Sequence, residues 1–354
     1  MYPHTRAKHD LLVRYLGGWF PVLSKYRGRI LFFDGFAGPD IYENGDPGSP
    51  TKALNTLLEH RFKMSDCEFV FVFNEQDPDR FESLRERHKA LTDSVGELPK
   101  NVTVHFLNEN FVDVAEGILE QLERNGKQLA PTFAFLDPFG YKDIPIKLIQ
   151  RFLAFERCEL FIYFDFNSTM RFATAGNVDK RFEELFGTDE FKNAPPSGDP
   201  QRGPFLRDLY ERQLKEVCQF PYVQSFEMVR PDNKVGHYLY FCTRNIKGLE
   251  VMKEAMWKVA PGGDFRFSDV LAGQPILFEE NPDTSPLQAN LLSHFAGRLV
   301  NIKEVQDYTL VYTPFALSHL KARTLAPMQR EGMISSPNQQ KKNTFPDGTL
   351  IQFR

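Results

Sequence analysis

The sequence has few cysteines and no long apolar run. Its 354 residues include only four cysteines, and they are too far apart to form a C-x-x-C pair. This spacing argues against a disulfide framework and a cysteine zinc site, and no His, Asp or Glu grouping has metal-ligand spacing. No apolar stretch reaches the roughly 18 residues that cross a bilayer, and the N-terminus lacks the apolar run of a signal peptide. We therefore expect a cytoplasmic protein with no membrane association and no metal site.

The chain also lacks a strong overall charge, since its formal net charge is −4. The charge is unevenly distributed. Residues 1–30 hold six basic residues and one acid, and residues 316–354 hold six basic residues and two acids. The middle of the chain is correspondingly acidic. Basic ends could form one electropositive face for nucleic acid, or they could be ordinary solvated surface, and the distribution leaves both interpretations open.

Strands alternate with helices over the first part of the chain, which predicts a Rossmann-like α/β fold with a parallel sheet and right-handed crossovers. The expected strands are 29–33, 68–73, 102–107, 132–136 and 160–164. The expected helices are 8–23, 51–62, 78–91, 112–124 and 146–155. A helical insertion is expected at about 170–220. Two late strands, 222–229 and 238–243, fit an antiparallel pair at one sheet edge, and a helix at 248–259 follows.

Turn residues cluster at 278–286 and predict a domain boundary. We therefore expect a first domain over 1–280 and a second over 285–354. The second holds helical patterns at 287–297, 302–312 and 314–331, with Thr313 as the N-cap of the last. Short apolar stretches at 333–334 and 350–353 follow. Three helices and a hairpin predict a winged-helix domain.

Polar or glycine-rich groups follow successive strands, at the sheet edge where doubly wound folds bind ligands. The G-x-G-x-x-G pattern of a pyrophosphate cradle is absent, which disfavours a nicotinamide oxidoreductase. The ordered set instead predicts an adenosyl-ligand site, although single members could be only turns and helix caps. The expected cofactor-binding residues are Asp34, Gly35, Phe36, Ala37 and Gly38 after the first strand, Glu75 after the second and Asn110 after the third.

The fourth strand ends in Asp137-Pro138-Phe139-Gly140, which are the candidate catalytic residues. An Asp carboxylate and the Pro carbonyl can accept both hydrogens of an exocyclic amine and direct its lone pair toward a sulfonium methyl, while Phe139 stacks on a base. A capped strand end with Phe139 in the core is the alternative. Asn167 and Arg171, just past the fifth strand, are candidates for contacting the substrate.

The C-terminal domain carries candidate nucleic-acid contacts. Lys321 and Arg323 lie in the last expected helix, and Lys341 and Lys342 lie in the expected wing loop. A helix in the major groove and a wing on the backbone would use these charges. Winged helices also bind partner proteins, so both DNA or RNA and a protein remain candidates.

Several motifs resemble those of the three-Cys-motif partner protein (TcmP) family, and the resemblance covers nearly the whole chain. The motifs are F-D-G-F-A-G-P at 33–39, F-L-D-P-F-G at 135–140, M-K-E-A-M-W at 252–257, F-R-F-S-D at 265–269, T-P-F-A-L-S-H-L-K at 313–321 and T-F-P-D-G-T-L-I-Q-F at 344–353. The resemblance implies a bacterial or phage-related protein with a Rossmann-like class I methyltransferase fold and a C-terminal winged helix. It also implies a partner protein, encoded nearby, that carries the cysteine motif.

These features together predict a methyltransferase that uses S-adenosylmethionine to methylate an exocyclic nitrogen of a nucleic-acid base. The D-P-F-G tetrapeptide is similar to that of tRNA guanine-N2 methyltransferases, which supports such a substrate by analogy. The alternative is a non-catalytic or protein-modifying partner subunit that keeps the cofactor-binding fold. The chain departs from the family pattern at Asp40, where many such loops have glycine.

Overall fold

The computed structural model describes residues 3–26, 28–138, 144–173, 179–230, 234–261, 266–268 and 282–354. The chain divides into two compact units. The first runs to Asn245 and includes a short strand at Phe267, and the second begins at Ile246 and includes the C-terminus.

Within the described residues, the strands of the first unit form one large sheet in the order β3-β2-β1-β4-β5-β7-β6-β8. The strands are β1 (Gly28–Asp34), β2 (Cys67–Asn74), β3 (Val102–Leu107), β4 (Thr132–Leu136), β5 (Glu159–Phe164), β6 (Tyr222–Val229), β7 (Val235–Thr243) and β8 (Arg266–Ser268). Strands β1 to β5 are parallel, and β7 is antiparallel to both β5 and β6. This is the strand order of the Rossmann-like methyltransferase fold, so the predicted fold class is confirmed for this unit.

Helices connect the parallel strands and cover the sheet. They are α1 (Pro3–Leu23), α2 (Ser49–Leu58), α3 (Pro78–Val95), α4 (Phe111–Arg124), α5 (Ile146–Phe152), α6 (Phe166–Phe172), α7 (Asp179–Phe186) and α8 (Arg202–Glu216). The last three occupy the region where a helical insertion is expected. All five residues of β4 are buried, as are the last five of β1. Both faces of these strands are therefore covered, which explains why they are continuous apolar runs instead of alternating ones.

Hydrogen bonds to one buried carboxylate attach the middle of helix α1 to the sheet. The hydroxyls of Tyr15 and Thr243 each donate a hydrogen bond of 2.6 Å to the Glu159 carboxylate at the start of β5. Burial raises the pKa of Glu159 to about 7. Two donors compensate part of the cost of burying this carboxylate. The attachment matters for the site because α1 also carries Lys8.

The second unit consists of two helices, a strand, a third helix, a helical segment with a π-helical turn between α12 and α13, and two strands, in that order. Its elements are α9 (Ile246–Val259), α10 (Ser285–Phe295), β9 (Leu299–Asn301), α11 (Ile302–Tyr312), α12 (Leu317–Leu320), a π-helical turn (Lys321–Leu325), α13 (Ala326–Arg330), β10 (Ile334–Ser335) and β11 (Leu350–Phe353). The strands pair antiparallel in the order β10-β11-β9. The three expected helical segments and the expected hairpin strands are present, and the winged-helix assignment stays a prediction.

Two sequence expectations about this unit differ from the structure. Helix α9 lies in the second unit, whereas the sequence placed it in the first domain. Its Lys253 ammonium donates to the carbonyl of Thr313, and Trp257 Nε1 donates to the carbonyl of Pro314 at 2.8 Å. Thr313 is not the N-cap of the next helix, because α12 begins at Leu317 with Ala316 before it. The Thr313 hydroxyl instead donates to Thr309 in α11.

Candidate functional site

The loop after β1 is fixed by the buried carboxylate of Asp34. Asp34 Oδ1 accepts the backbone N–H of Phe36 at 3.1 Å, and Oδ2 accepts the hydroxyl of Ser49 at 2.7 Å. Ser49 is the first residue of α2, so one side chain ties together both ends of the connection. Asp34 is fully buried, and this burial raises its pKa to about 7. Asp34 therefore fixes the conformation of the predicted cofactor loop through hydrogen bonds from its buried side.

Glycines bring the backbone of this loop against its neighbours. A Cβ on Gly35 would lie 2.7 Å from Leu136 Cδ2 and 3.0 Å from Phe111 Cδ2, so the strand end tolerates only glycine without rearrangement. Gly38 has φ of 66°, and its N–H donates to Glu75 Oε2 at 2.9 Å. The other oxygen of Glu75 accepts the N–H of Asp77 at 2.8 Å. Glu75 thus lies where the sequence placed it, after β2, and holds the glycine loop.

Asn74, the last residue of β2, joins three strand ends and was not singled out from the sequence. Its side-chain nitrogen donates to the carbonyls of Gly35 and Glu109 at 3.1 and 2.9 Å. Its oxygen accepts the N–H of Glu109 at 3.3 Å. A polar residue at the end of a strand is the only sequence signal for this role.

Asp40 has a structural role of its own in the loop after β1. Its φ of 56° lies in the left-handed region, which favours glycine and which Asp tolerates better than most residues. Its carboxylate accepts the N–H of Thr51 at 3.1 Å and the Thr51 hydroxyl at 2.5 Å. The N-cap position of α2 is Gly48, which has no side chain. Asp40 therefore caps α2 from a distance, a role that glycine could not fill.

A cavity of about 800 Å³ opens beside this loop, at the carboxyl ends of the strands. Its volume falls in the range of small-molecule sites. One part of the wall consists of Phe36, Ala37, Gly38, Pro39 and Asp40 from the loop after β1. Asp137 and Pro138, which follow β4, form another part of the wall. The structure therefore brings part of the predicted cofactor set, residues 36–38, and the first half of the D-P-F-G motif to one cavity, whereas Asp34, Gly35 and Glu75 do not line it.

The Asp137 carboxylate is paired with the ammonium of Lys8 from α1. The Lys8 side chain is 7% exposed and that of Asp137 is 22% exposed, so the pair is shielded from solvent. The Lys8 ammonium also lies 4.9 Å from the centre of the Tyr163 ring. Lys8 precedes Asp137 by 129 residues, so no local sequence motif indicates this ion pair.

Among the wall residues that were not predicted as site residues, three lie together beside Asp137 and Pro138 in the same wall. Tyr163 is the second-last residue of β5, Asp165 follows that strand, and His237 lies near the start of the antiparallel strand β7. The Tyr163 and His237 rings stack at 4.6 Å, and His237 Nδ1 lies 3.8 Å from Asp165 Oδ1. Because β7 runs opposite to β5, its beginning lies at the end of β5. That geometry brings the three side chains together.

Other predicted site residues lie elsewhere. Asn110 is the N-cap of α4, where its oxygen accepts the N–H of Asp113 at 3.0 Å, and it is not part of the described cavity wall. Asn167 and Arg171 lie on α6 and do not line that cavity either. Phe139 and Gly140 lie outside the described residues.

The four basic candidates of the second unit all have side chains that are at least partly exposed to solvent. Arg323, Lys341 and Lys342 are exposed, and Lys321 is half-buried. Lys321 and Arg323 belong to the π-helical turn, and Lys341 and Lys342 lie in the loop between β10 and β11. That loop is where the sequence predicted a wing.

No protein-family model matches this chain, and no curated protein matches it. Among solved structures it is similar to a DUF519-family protein from Legionella pneumophila, with 14% identity and a TM-score of 0.41 over 72% of this chain and 92% of that one. A DUF574-family protein from Streptomyces avermitilis has 12% identity and a TM-score of 0.34, over 68% and 83%. Spermidine synthase from Thermotoga maritima has 12% identity and a TM-score of 0.30, over 66% and 59%.

Among the residues that the structure describes, no helix is both long and apolar enough to cross a bilayer.

Proposed function

We propose that this chain is an S-adenosylmethionine-dependent methyltransferase that acts on an exocyclic nitrogen of a nucleic-acid base. The observation that carries the proposal is that Asp137 and Pro138 share one cavity with the glycine loop after β1. Methyl transfer needs a cofactor site and an amine-aligning site within bonding distance of each other. The cavity supplies candidates for both.

The loop residues fit an adenosyl cofactor. Gly38 lines the cavity with open space where a Cβ would be, so the backbone can approach a ligand there, and Asp34 holds the loop in place. Glu75 already accepts two N–H donors, through Gly38 and Asp77. Ribose hydroxyls are donors of the same kind, and Glu75 would bind them by exchanging the Gly38 N–H for a hydroxyl. The bound cofactor would supply an electrophilic methyl group.

Asp137 would align the target amine. Lys8 occupies Oδ2 of the carboxylate, and the two oxygens of a carboxylate together offer about four lone-pair sites. Oδ1 and the carbonyl of Pro138 would accept the two amine hydrogens. The ion pair with Lys8 fixes the orientation of the Asp137 carboxylate, so less conformational entropy is lost when the amine is aligned.

The second unit and the partner complete the proposal. Exposed Arg323, Lys341 and Lys342 would contact the phosphate backbone of RNA or DNA, which sets affinity without reading sequence. A winged-helix arrangement would place these charges on a helix and a wing. The partner carrying the cysteine motif would be encoded nearby, and it would work with this chain on the same substrate.

One observation favours a second candidate, a subunit that binds the cofactor without turnover. The carboxylate of Asp137 is already ion-paired, so one of its oxygens is engaged before any amine arrives. In that role the chain would bind S-adenosylmethionine without transferring its methyl group and would act as a binding subunit for a protein partner.

Transfer of a labelled methyl group separates the two candidates. Purified protein, with and without the partner, would be incubated with methyl-labelled S-adenosylmethionine and with RNA, DNA or protein. We expect label in nucleic acid with the wild type and with Asp93→Asn, an exposed control on α3. We expect at least a hundredfold loss with Asp137→Ala, because alignment of the amine is lost. Label in protein, or cofactor binding without any transfer, would contradict the proposal and select the second candidate.

A further inference from the structure

His237 has a buried nitrogen that nothing in the described structure satisfies. Its Nδ1 is inaccessible to solvent and has no hydrogen-bond partner among the described residues. An unsatisfied buried polar atom is costly and calls for an explanation. The nearest carboxylate oxygen, Asp165 Oδ1, is 3.8 Å away, which is slightly beyond hydrogen-bond distance. Hydrogen bonds within catalytic groups are often this long before the substrate binds, and they tighten in the complex.

Asp165 is held firmly and can orient the imidazole. It caps α6, where Oδ1 accepts the N–H of Ser168 at 3.1 Å and Oδ2 accepts the Ser168 hydroxyl at 2.5 Å. The imidazole ring is fixed by its stack on Tyr163. With Nδ1 facing the carboxylate, the proton of the neutral ring belongs on Nδ1. The lone pair then lies on Nε2 of the ring, and His237 lines the cavity with 24% of its side chain exposed.

Methylation of an amine releases a proton that must go somewhere. The nitrogen–methyl bond forms as the sulfur–methyl bond breaks, the bonding electron pair stays on sulfur, and one N–H proton leaves the nitrogen. Asp137 is poorly suited to take this proton, because its protonation would leave the buried ammonium of Lys8 without its counter-charge. A neutral acceptor in the same wall avoids that cost.

We propose that His237, oriented by Asp165, accepts the proton released from the target amine and passes it to solvent. This inference rests on the proposed function and adds a general base to it. The arrangement is an acceptor whose second nitrogen faces a carboxylate, which stabilises the imidazolium once it forms. Because about a quarter of the side chain is exposed, water can remove the proton after each turnover.

The surroundings keep His237 neutral before the reaction. Burial, the largest effect, lowers the pKa of His237 to about 4, and nearby Lys8 and His4 from α1 act in the same direction. Asp165, after β5, and Asp137, after β4, act in the opposite direction. The imidazole is therefore unprotonated at pH 7 and able to accept a proton.

The tautomer of His237 tests the inference without any turnover. Nitrogen-15 NMR of the full chain, with His237→Ala to assign the signal, reports which ring nitrogen carries the proton. We expect protonation at Nδ1 at pH 7. In Asp165→Asn, which keeps an N-cap for α6, we expect the pKa of His237 to fall because a negative neighbour is lost. A proton on Nε2 in the wild type overturns the base role, whatever the fate of the proposed function.

Methyl transfer provides the second test. We expect His237→Ala to lower kcat by about 10²-fold or more with cofactor affinity unchanged, and added imidazole to restore part of the rate. His105→Ala, which removes an exposed histidine of β3, is the control and should show neither effect. Wild-type turnover in His237→Ala, or a loss that imidazole does not relieve, overturns the base role alone. Absence of turnover in the wild type overturns the proposed function, and the base role with it.

Discussion

Two residues at the end of β1, Asp34 and Gly35, determine the conformation of the loop that follows and how closely it packs against the neighbouring side chains. A Cβ added to Gly35 would lie 2.7 Å from Leu136 Cδ2 and 3.0 Å from Phe111 Cδ2, so a methyl group does not fit there unless these side chains shift. Asp34 holds the next residues in place through one carboxylate. These constraints are local, so they can be tested one residue at a time.

Gly35→Ala should lower the free energy of unfolding by about 1–3 kcal/mol, because overpacking forces Leu136 and Phe111 to shift. The matched control is Gly17→Ala in α1, where a Cβ meets nothing within 4 Å. That change should raise stability by about 0.5–1 kcal/mol, as expected for glycine in a helix. Urea denaturation measures both. Equal effects of the two substitutions would contradict the packing argument.

Asp40 should tolerate asparagine far better than alanine. Asn keeps an oxygen acceptor for the N–H of Thr51 and tolerates a φ of 56°, whereas Ala loses both. We expect Asp40→Ala to cost about 2–3 kcal/mol, from the lost cap and the strained backbone, and Asp40→Asn less than about 1 kcal/mol. Thermal unfolding compares the variants. A similar loss in both would show that the carboxylate charge matters instead of the cap.

Only some of the individual site residues could be predicted from the sequence. Asp34, Glu75 and Asp137 lie at strand ends, as the apolar runs before them indicated, but only Asp137 of the three lines the cavity. His237 was missed, because it lies at the beginning of a strand and reaches the site only through the antiparallel direction of β7. The partnership of Lys8 with Asp137 was also missed, because helix periodicity shows which face is buried but not which distant charge it meets.

At the scale of elements, β1, β2, β4 and β5 were predictable because each contains a continuous apolar run that must be buried on both faces. Strand β3 includes Thr103 and His105, and only its first residue is buried. The sequence placed helix α9 in the first domain because turn residues cluster after it, at 278–286, whereas α9 belongs to the second unit. The contacts that settle its place are specific, from Lys253 and Trp257 to the carbonyls of residues 313 and 314.

The attachment of α1 should make stability depend on pH through Glu159. Its pKa is raised from 4.5 to about 7, so the folded state holds this proton more tightly than the unfolded state. That contribution is fully present below about pH 4.5 and is lost as pH rises through about 7. Between pH 5 and pH 8 we expect a loss of about 3 kcal/mol from this group.

The substitution Glu159→Gln isolates that contribution, because it keeps an acceptor for one hydroxyl and cannot ionise. Chemical denaturation at the two pH values should show a smaller fall in stability for the variant than for the wild type. Asp34 has a raised pKa as well and contributes in the same direction in both proteins. An unchanged pH dependence would contradict the role assigned to Glu159.

For the whole molecule, the uneven charge bears on nucleic-acid binding. Under the proposed function, replacing Lys341 and Lys342 by Gln should weaken binding to RNA or DNA across all sequences. The slope of log affinity against log salt should fall by about 2, since two phosphate contacts are lost. Lys303→Gln, which removes a lysine already paired with Asp307, is the control. An unchanged slope in the double variant would favour a protein partner for this surface.

The central claim is that the cavity after β1 and β4 binds S-adenosylmethionine. Isothermal titration calorimetry of the purified full chain with S-adenosylmethionine and S-adenosylhomocysteine tests it most directly, alongside Asp34→Ala, Glu75→Ala and the surface control Asp93→Asn. We predict one site of micromolar affinity in the wild type and the control, and loss of binding in the two other variants while circular dichroism stays unchanged. No binding by the folded wild type would contradict the claim.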